Sequence, residues 1–521
     1  MLTNRIPSIV LRTAVLLLCA GMVTAASAAA QSTGTVTIVG ALTAADDATS
    51  TDIAEADVTT GTRVTTVPVM LSQLSAPQAS AAARAKSQAR RVAKMHDAFT
   101  SEPLAENEDL WESALYATTV MFPGTPEMRD GIRKALRAHT SASLEFQRSA
   151  MEAAYGFHPQ AFLVEMAQIS EDTTTPKLFA MAGLYLARGM PPESGAAVDV
   201  LARMRTKFPN WQQDPILTML NHDLQCVPRV GATPTHDDAS TTVAAADCAP
   251  VRPPLRAMFS KAFATSATVV YTLQRHNRDY PGIAVVRGPG GRFHRNADGT
   301  IFHVTHLARS RTNLPGYITN GNTPQGVFTV DGLSRTKNLG IGQTPFLLTM
   351  LPHEADPAKY FHNAALANTS WTQEMYLNLL PAAAAPGEPA WRDYLPMRVA
   401  WYAGAAGRSE MLSHGTAMDP TGYVGAPWYP TTPTSGCICA KELWDNDGKP
   451  LVSEQLALAQ AWLEASGVSI PRDKGEAILT LPGGGPTGYF AVIELDQKNQ
   501  PVTLDEVVTE ILAAEEGHTK P

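Results

Sequence analysis

Between residues 77 and 225, apolar side chains recur at intervals of three and four. That spacing keeps them on one face of an α-helix. It predicts helices over 80–98, 107–121, 127–138, 141–155, 159–169, 177–188, 194–207 and 215–224. Pro123-Gly124-Thr125-Pro126 and Met190-Pro191-Pro192 interrupt the pattern. Proline cannot donate the helical hydrogen bond, so these stretches read as breaks. Short helices with short breaks predict a stacked helical array.

After a short helix expected at 255–264, the period changes. Segments 268–273, 282–287, 301–305 and 326–330 are rich in Val, Ile, Phe and Thr and read as strands. Gly288-Pro289-Gly290-Gly291 and Asn296-Ala297-Asp298-Gly299 read as the turns between them. Residues 355–383 return to helical texture, and 396–402 is expected to resume as a strand. A helix is expected at 453–465, strands at 477–481 and 488–495, and an amphipathic helix at 503–516. The expected fold class is α+β multidomain, an N-terminal helical array (77–225) followed by a β-rich domain (266–500) and a C-terminal helix and tail (501–521).

The remaining segments carry composition rather than period. Residues 1–30 combine Arg5 and Arg12 with a short apolar run and Ala28-Ala29-Ala30, the pattern of a secretory signal. The run is too short for a comfortable membrane span, and no later segment is apolar enough, so the mature chain is expected to lack one. Residues 31–76 are Ala-, Thr- and Val-rich with few aromatics and are expected to be flexible, with short strands at most at 35–43 and 62–72. Residues 226–265 read as a linker. Export places the protein in a periplasm or cell envelope. Loss of Arg5 and Arg12 moves the formal net charge from −8 to −10. An acidic mature chain argues against nucleic acid as a partner.

Oxidising surroundings bring the cysteines forward. Cys226 and Cys248 flank a Thr/Ala/Pro-rich stretch, and a disulfide there would contribute about 3 kcal/mol in the loop-entropy account. Cys437 and Cys439 lie in Thr434-Ser435-Gly436-Cys437-Ile438-Cys439, downstream of Ser413-His414-Gly415-Thr416. This stretch holds a thiol, a possible base in His414 and a tight turn at Gly436, the parts that cysteine acyl transfer needs. The residues alone leave three roles open for Cys437: nucleophile, disulfide partner, or zinc ligand with Cys439 and His414.

The stretch resembles the catalytic domain of the L,D-transpeptidase (YkuD-type) family. That family carries His-Gly, a spacer, then Ser/Thr-x-Gly-Cys, matched here by His414-Gly415 and Thr434-Ser435-Gly436-Cys437. Asn322-Thr323-Pro324-Gln325-Gly326-Val327-Phe328 is similar to the family's Thr-Pro-x-Gly-x-Phe strand entry. The resemblance covers roughly 266–500. Three departures stand out: a spacer of 22 residues between His414 and Cys437, Ser435 where the family often has a second histidine, and Cys439 in place of an Arg or Asn.

The resemblance implies Cys437 as nucleophile and His414 as base, oriented by the Gly415 carbonyl, with the amides of Gly436 and Cys437 facing the oxyanion. It implies an L,D peptide bond of a peptidoglycan stem peptide as substrate, and no cofactor. Ser435, Thr416, Arg408, Tyr402, Trp428 and Tyr429 are the expected substrate-binding residues, with Arg408 meeting a substrate carboxylate or a surface salt-bridge partner, and Tyr423, Trp428 and Tyr429 forming either a lid over the site or a simple packed loop. Tyr402 would line the pocket. The helical array, which resembles tetratricopeptide repeats in texture without a clean register of about 34 residues, is expected to pack or to bind a protein partner. An L,D-carboxypeptidase, with water as acceptor, and an inactive envelope scaffold are the competing expectations.

Overall fold

The computed structural model describes residues 68–516, apart from 122–123, 157–159, 192–193, 226–250, 337, 339, 384, 419 and 481–484. The signal sequence and the Cys226–Cys248 pair lie outside the described residues. The molecule is α+β, with a helical region followed by a β-rich region closed into an eight-stranded barrel.

Eight helices occupy the first part: α1 (Ala81–Phe99), α2 (Glu108–Thr119), α3 (Pro126–Arg137), α4 (Leu144–Tyr155), α5 (Leu163–Asp172), α6 (Pro176–Gly189), α7 (Ala196–Lys207) and α8 (Pro215–Gln225). Their ends follow local chemistry. Ser80, Thr125 and Ser143 accept hydrogen bonds from the first turns of α1, α3 and α4, and Pro126 and Pro176 open α3 and α6 where no donor is lost. Their apolar faces meet in one core around Trp111, Phe146, Phe162, Phe179 and Leu220. Among the described residues, no helix is long and apolar enough to cross a membrane.

That core does not end with the helices. Leu314, Tyr317 and Ile318, from a loop of the β-rich region, are buried in it. Tyr317 Oη donates to Asp223 (2.8 Å), Asn320 Nδ2 to Glu152 (3.0 Å) and Lys177 Nζ to Thr319 (2.9 Å). The helical region therefore grips residues 314–320 of the β-rich region as part of its own interior.

The strands are β1 (Pro68–Val69), β2 (Thr268–Gln274), β3 (Gly282–Arg287), β4 (Val304–Leu307), β5 (Gly326–Ser334), β6 (Phe346–Met350), β7 (Ser413–His414), β8 (Ile438–Ala440), β9 (Glu442–Trp444), β10 (Pro450–Ser453), β11 (Arg472–Asp473), β12 (Glu476–Ala477), β13 (Leu479–Thr480) and β14 (Gly488–Glu494). The barrel runs β14-β2-β3-β4-β8-β7-β6-β5. Neighbours are antiparallel except β14 with β2 and β7 with β8, which are parallel. Helices α9 (Leu255–Phe259), α10 (Pro357–Tyr360), α11 (Gln373–Leu379), α12 (Val399–Ala405), α13 (Glu454–Ala465) and α14 (Val508–Glu516) surround it.

Both faces of the central strands are covered, so β2 and β3 are buried at every position instead of alternating. Val270, Ala284, Phe328, Leu347, Ile438 and Phe490 pack with Leu458 and Trp462 of α13. Val269, Tyr271, Val285 and Tyr489, on the opposite face, pack with Phe259 of α9, Trp391 and Ile511 of α14.

Two expectations are corrected. Residues 396–402, read as a strand, form a helical turn leading into α12. Met397, Ala400, Trp401, Ala403 and Gly404 are buried, a spacing of three and four that outweighs the β propensity of Val399, Trp401 and Tyr402. The described end of the supposedly flexible start is docked: β1 pairs with β13, and Val69, Leu74 and Ala76 enter the barrel core.

Trp462 is the largest side chain that α13 contributes to this core and is fully buried. Trp462→Ala is expected to destabilise the barrel by about 3–5 kcal/mol, measured as a lowered denaturant midpoint of the β-rich signal with the helical signal followed separately.

Candidate active site

Strand β7 is two residues long, and its parallel partner β8 sits in the register Ser413↔Ile438 and His414↔Cys439. Paired residues in a sheet project to the same face. His414 and Cys439 therefore share a face with Leu307, which pairs with Cys439 from β4. The loop between β7 and β8 folds back so that Tyr423, Ala426 and Trp428 cluster with Leu307.

Cys437 stands one residue before β8 and is half-buried. Its Sγ accepts from Leu412 N–H (3.4 Å) and donates to Glu410 O (3.4 Å). The thiol thus rests on backbone at the entrance to β7. Burial pushes it above the ordinary thiol range, against the pull of the Leu412 amide and the Arg408 charge. Cys439 is fully buried, and burial pushes its thiol up much further. Both are free thiols.

The turn ahead of Cys437 is built on Gly436, at φ +125°. An added Cβ there would stand 2.3 Å from Arg408 Nη2 and 2.7 Å from Gly321 O, so no other residue fits. Gly436 O accepts from Thr323 Oγ1 (2.8 Å). Gly436 N–H donates to Thr434 Oγ1 (3.0 Å). This corrects the expected oxyanion donor at Gly436, because its N–H is already committed within the turn.

His414 is 2 % exposed. Its Nδ1 bonds to Gly415 O, and the backbone of Ile341 is a second hydrogen-bond partner of the ring. Burial pushes its pKa down to about 4 although both backbone contacts favour the protonated ring. The imidazole is therefore neutral near pH 7, with one ring nitrogen unprotonated.

A carboxyl that the sequence did not suggest holds this corner. Glu442, the first residue of β9, is 2 % exposed and lies against Gly415, where an added Cβ would be 2.0 Å from its carboxyl carbon. It accepts from Thr416 N–H (2.8 Å) and Ser453 Oγ (2.6 Å). These bonds tie the His-Gly-Thr turn to the β9–β10 hairpin. No sequence motif marks Glu442; its role comes from the β9–β10 hairpin, which pairs it with Ser453.

The other expected substrate residues divide. Ser435 is exposed beside the nucleophile turn. Thr416 is buried, with its hydroxyl accepting from Met418 N–H. Tyr402 lies on α12 and packs between the helical core and the outer barrel core, away from the expected pocket-lining role. Arg408 is buried on backbone carbonyls and is neither exposed nor aimed at solvent. Trp428 is buried, with the Arg309 guanidinium 3.9 Å from its ring centre, so it is packing rather than a mobile lid. Tyr429, 43 % exposed, is the aromatic of that loop open to a ligand.

Arg311 was visible in the sequence only as a loop charge. Its field reaches His414, Cys437 and Cys439. Its Nη1 donates to Tyr116 Oη of α2, and Nη2 lies 3.8 Å from Met418 Sδ. A helical-region side chain thus reaches the edge of the site. Among the described residues, no group of three or more His, Cys, Asp and Glu side chains is gathered for a metal ion.

Burial pushes the Glu442 carboxyl from 4.5 up to about 7. The folded state then holds a proton that the unfolded chain has released, so this group's contribution is full below pH 4.5 and is lost as pH rises to about 7. Glu442→Gln is expected to flatten that loss; the check is the difference between wild-type and variant denaturation midpoints across the interval.

No family model, curated protein or solved structure matches this chain.

Proposed function

We propose that this chain is an exported cysteine acyltransferase of the L,D-transpeptidase kind, acting on peptidoglycan stem peptides through a thioester on Cys437. The observation that carries the proposal is the β7–β8 pairing, which sets Ser413 beside Ile438 and His414 beside Cys439 and so brings Cys437, one residue before β8, next to the strand of His414. A neutral buried imidazole, with Nδ1 held by Gly415 O, supports a base role for His414.

In this mechanism Sγ leaves Glu410 O and its proton passes to His414. The resulting imidazolium has Gly415 and Ile341 backbone to receive its two N–H groups. Sulfur bonds to the carbonyl carbon of the L residue, and the oxyanion forms beside the Cys437 N–H. The C–N bond to D-alanine breaks, and His414 returns the proton to the leaving amine. An acceptor amine then attacks the thioester, gives its proton to His414 and expels the Cys437 thiolate. Water in place of the amine makes the same enzyme a carboxypeptidase.

A second reading, an inactive envelope scaffold, is favoured by one feature. The thiol hydrogen-bonds to Glu410 O and Leu412 N–H in this structure, and burial holds it protonated.

Incubation of the reduced protein with a carbapenem, followed by intact mass, separates the two. A single adduct that is lost in Cys437→Ala is expected; no adduct would leave the scaffold reading. His414→Ala is expected to slow acylation by about 10²–10⁴-fold. Stem-peptide dimers among the products identify the transpeptidase, and tripeptides alone the carboxypeptidase.

A further inference from the structure

Arg408 carries a charge that the fold buries without a carboxylate. It is 4 % exposed. Nη1 donates to Gly316 O and to Asn322 O (3.0 Å), and Nη2 donates to Gly321 O (3.0 Å) and lies 3.4 Å from Met411 Sδ. Among the described residues, no Asp or Glu side chain is in ion-pair contact with it. A buried cation is costly, and neutral carbonyls offset only part of that cost. An anion forming beside such a cation, in a site shielded from water, gains from its charge.

The neighbouring group that becomes an anion when it ionises is the Cys437 thiol. The guanidinium lies against Gly436, one residue before the thiol, and only the missing Cβ of that glycine makes room for it. Each group acts on the other: Arg408 pulls the Cys437 thiol down, and Cys437 is the charge that raises the arginine. The remaining charges facing the thiol are Glu410, which opposes ionisation, and Arg311, which assists it from the Tyr116 side. His414 cannot serve as a standing counter-ion, because burial keeps it neutral near pH 7.

We propose that Arg408 is the fixed counter-cation of the Cys437 thiolate, a positioning residue rather than a contact for a substrate carboxylate. The proposal rests on the reading of Cys437 as the nucleophile. It gives the charged nucleophile a partner that neither moves nor titrates during the reaction. It also gives the 316–322 loop a function, since the carbonyls that hold the cation belong to the segment gripped by the helical region.

The test is the pH dependence of Cys437 alkylation by iodoacetamide in the full chain, with the site of modification assigned by fragment mass. Arg408→Gln is expected to raise the alkylation midpoint by about one pH unit or more, and Arg408→Lys to recover most of that shift. An unchanged midpoint in folded Arg408→Gln overturns the proposal. So does a folded Arg408→Lys shifted as far as the Gln variant. If Arg408→Gln does not fold, the wild-type protein carries the test: the Arg408 side-chain N–H resonance must move with the alkylation midpoint, and a resonance that stays still overturns the proposal. Alkylation needs no stem peptide, so failure of the peptidoglycan reading leaves this outcome distinct.

Discussion

The barrel closes through its shortest strand. β7 meets β6 at one register position, Leu347↔Ser413, and β8 at two. So little ladder cannot hold a seam by itself, and side chains reinforce it. Gln455 of α13 reaches across with Nε2 to Ser413 O (3.0 Å) and Pro345 O (3.1 Å). Thr349 Oγ1 donates to Met411 O just ahead of β7. Glu442 fastens the far end through Thr416 N–H. The same seam sets His414 beside Cys439, so the residues that close the barrel also line the candidate site.

Burial sets the charge state of everything along that seam. The imidazole of His414 is driven toward its neutral form, the Glu442 carboxyl is driven up to about 7, and both thiols are driven up. Arginine is different, since its guanidinium stays charged even when burial lowers it to about 10. The site therefore combines a neutral imidazole and protonated thiols with two arginines, Arg408 and Arg311, whose charges act on Cys437. Developing negative charge on sulfur or on an oxyanion meets a positive field that requires no rearrangement.

Much of this was legible in the chain. The eight helices follow from apolar spacing, and their breaks from proline and glycine. Strands β2, β3, β5 and β14 follow from β-branched and aromatic runs. His414, Gly436 and Cys437 stand out because one stretch offers a possible base, a tight glycine turn and a thiol. What failed to show depends on contacts distant in sequence. Val399, Trp401 and Tyr402 have strand propensity, yet close packing of Gly404 on Pro352 O, where a Cβ would be only 1.8 Å away, belongs to a helix. Trp428 looks like a lid residue until Arg309 is found stacked on it. Glu442 is an ordinary surface-type residue in the sequence and becomes a buried clamp only when β9 meets β10.

The largest departure from the sequence picture concerns the helical region. Its helices suggested an array that packs or binds a partner on its own account. In the structure it packs within the molecule, and its core takes in Leu314, Tyr317 and Ile318. The same loop turns at Asn313 and Asn320, both at positive φ, and presents the carbonyls of Gly316, Gly321 and Asn322 to Arg408. Thr323, which follows directly, holds Gly436 O. A continuous chain of contacts runs from Asp223 and Glu152 through this loop to the nucleophile turn. Asparagine tolerates positive φ better than most residues, so the loop's shape is partly local. Its rigidity is not, because a surface loop of Thr, Asn and Gly would have little to pack against without the helices. The Gly436–Cys437 turn is thus supported from outside the barrel that carries it.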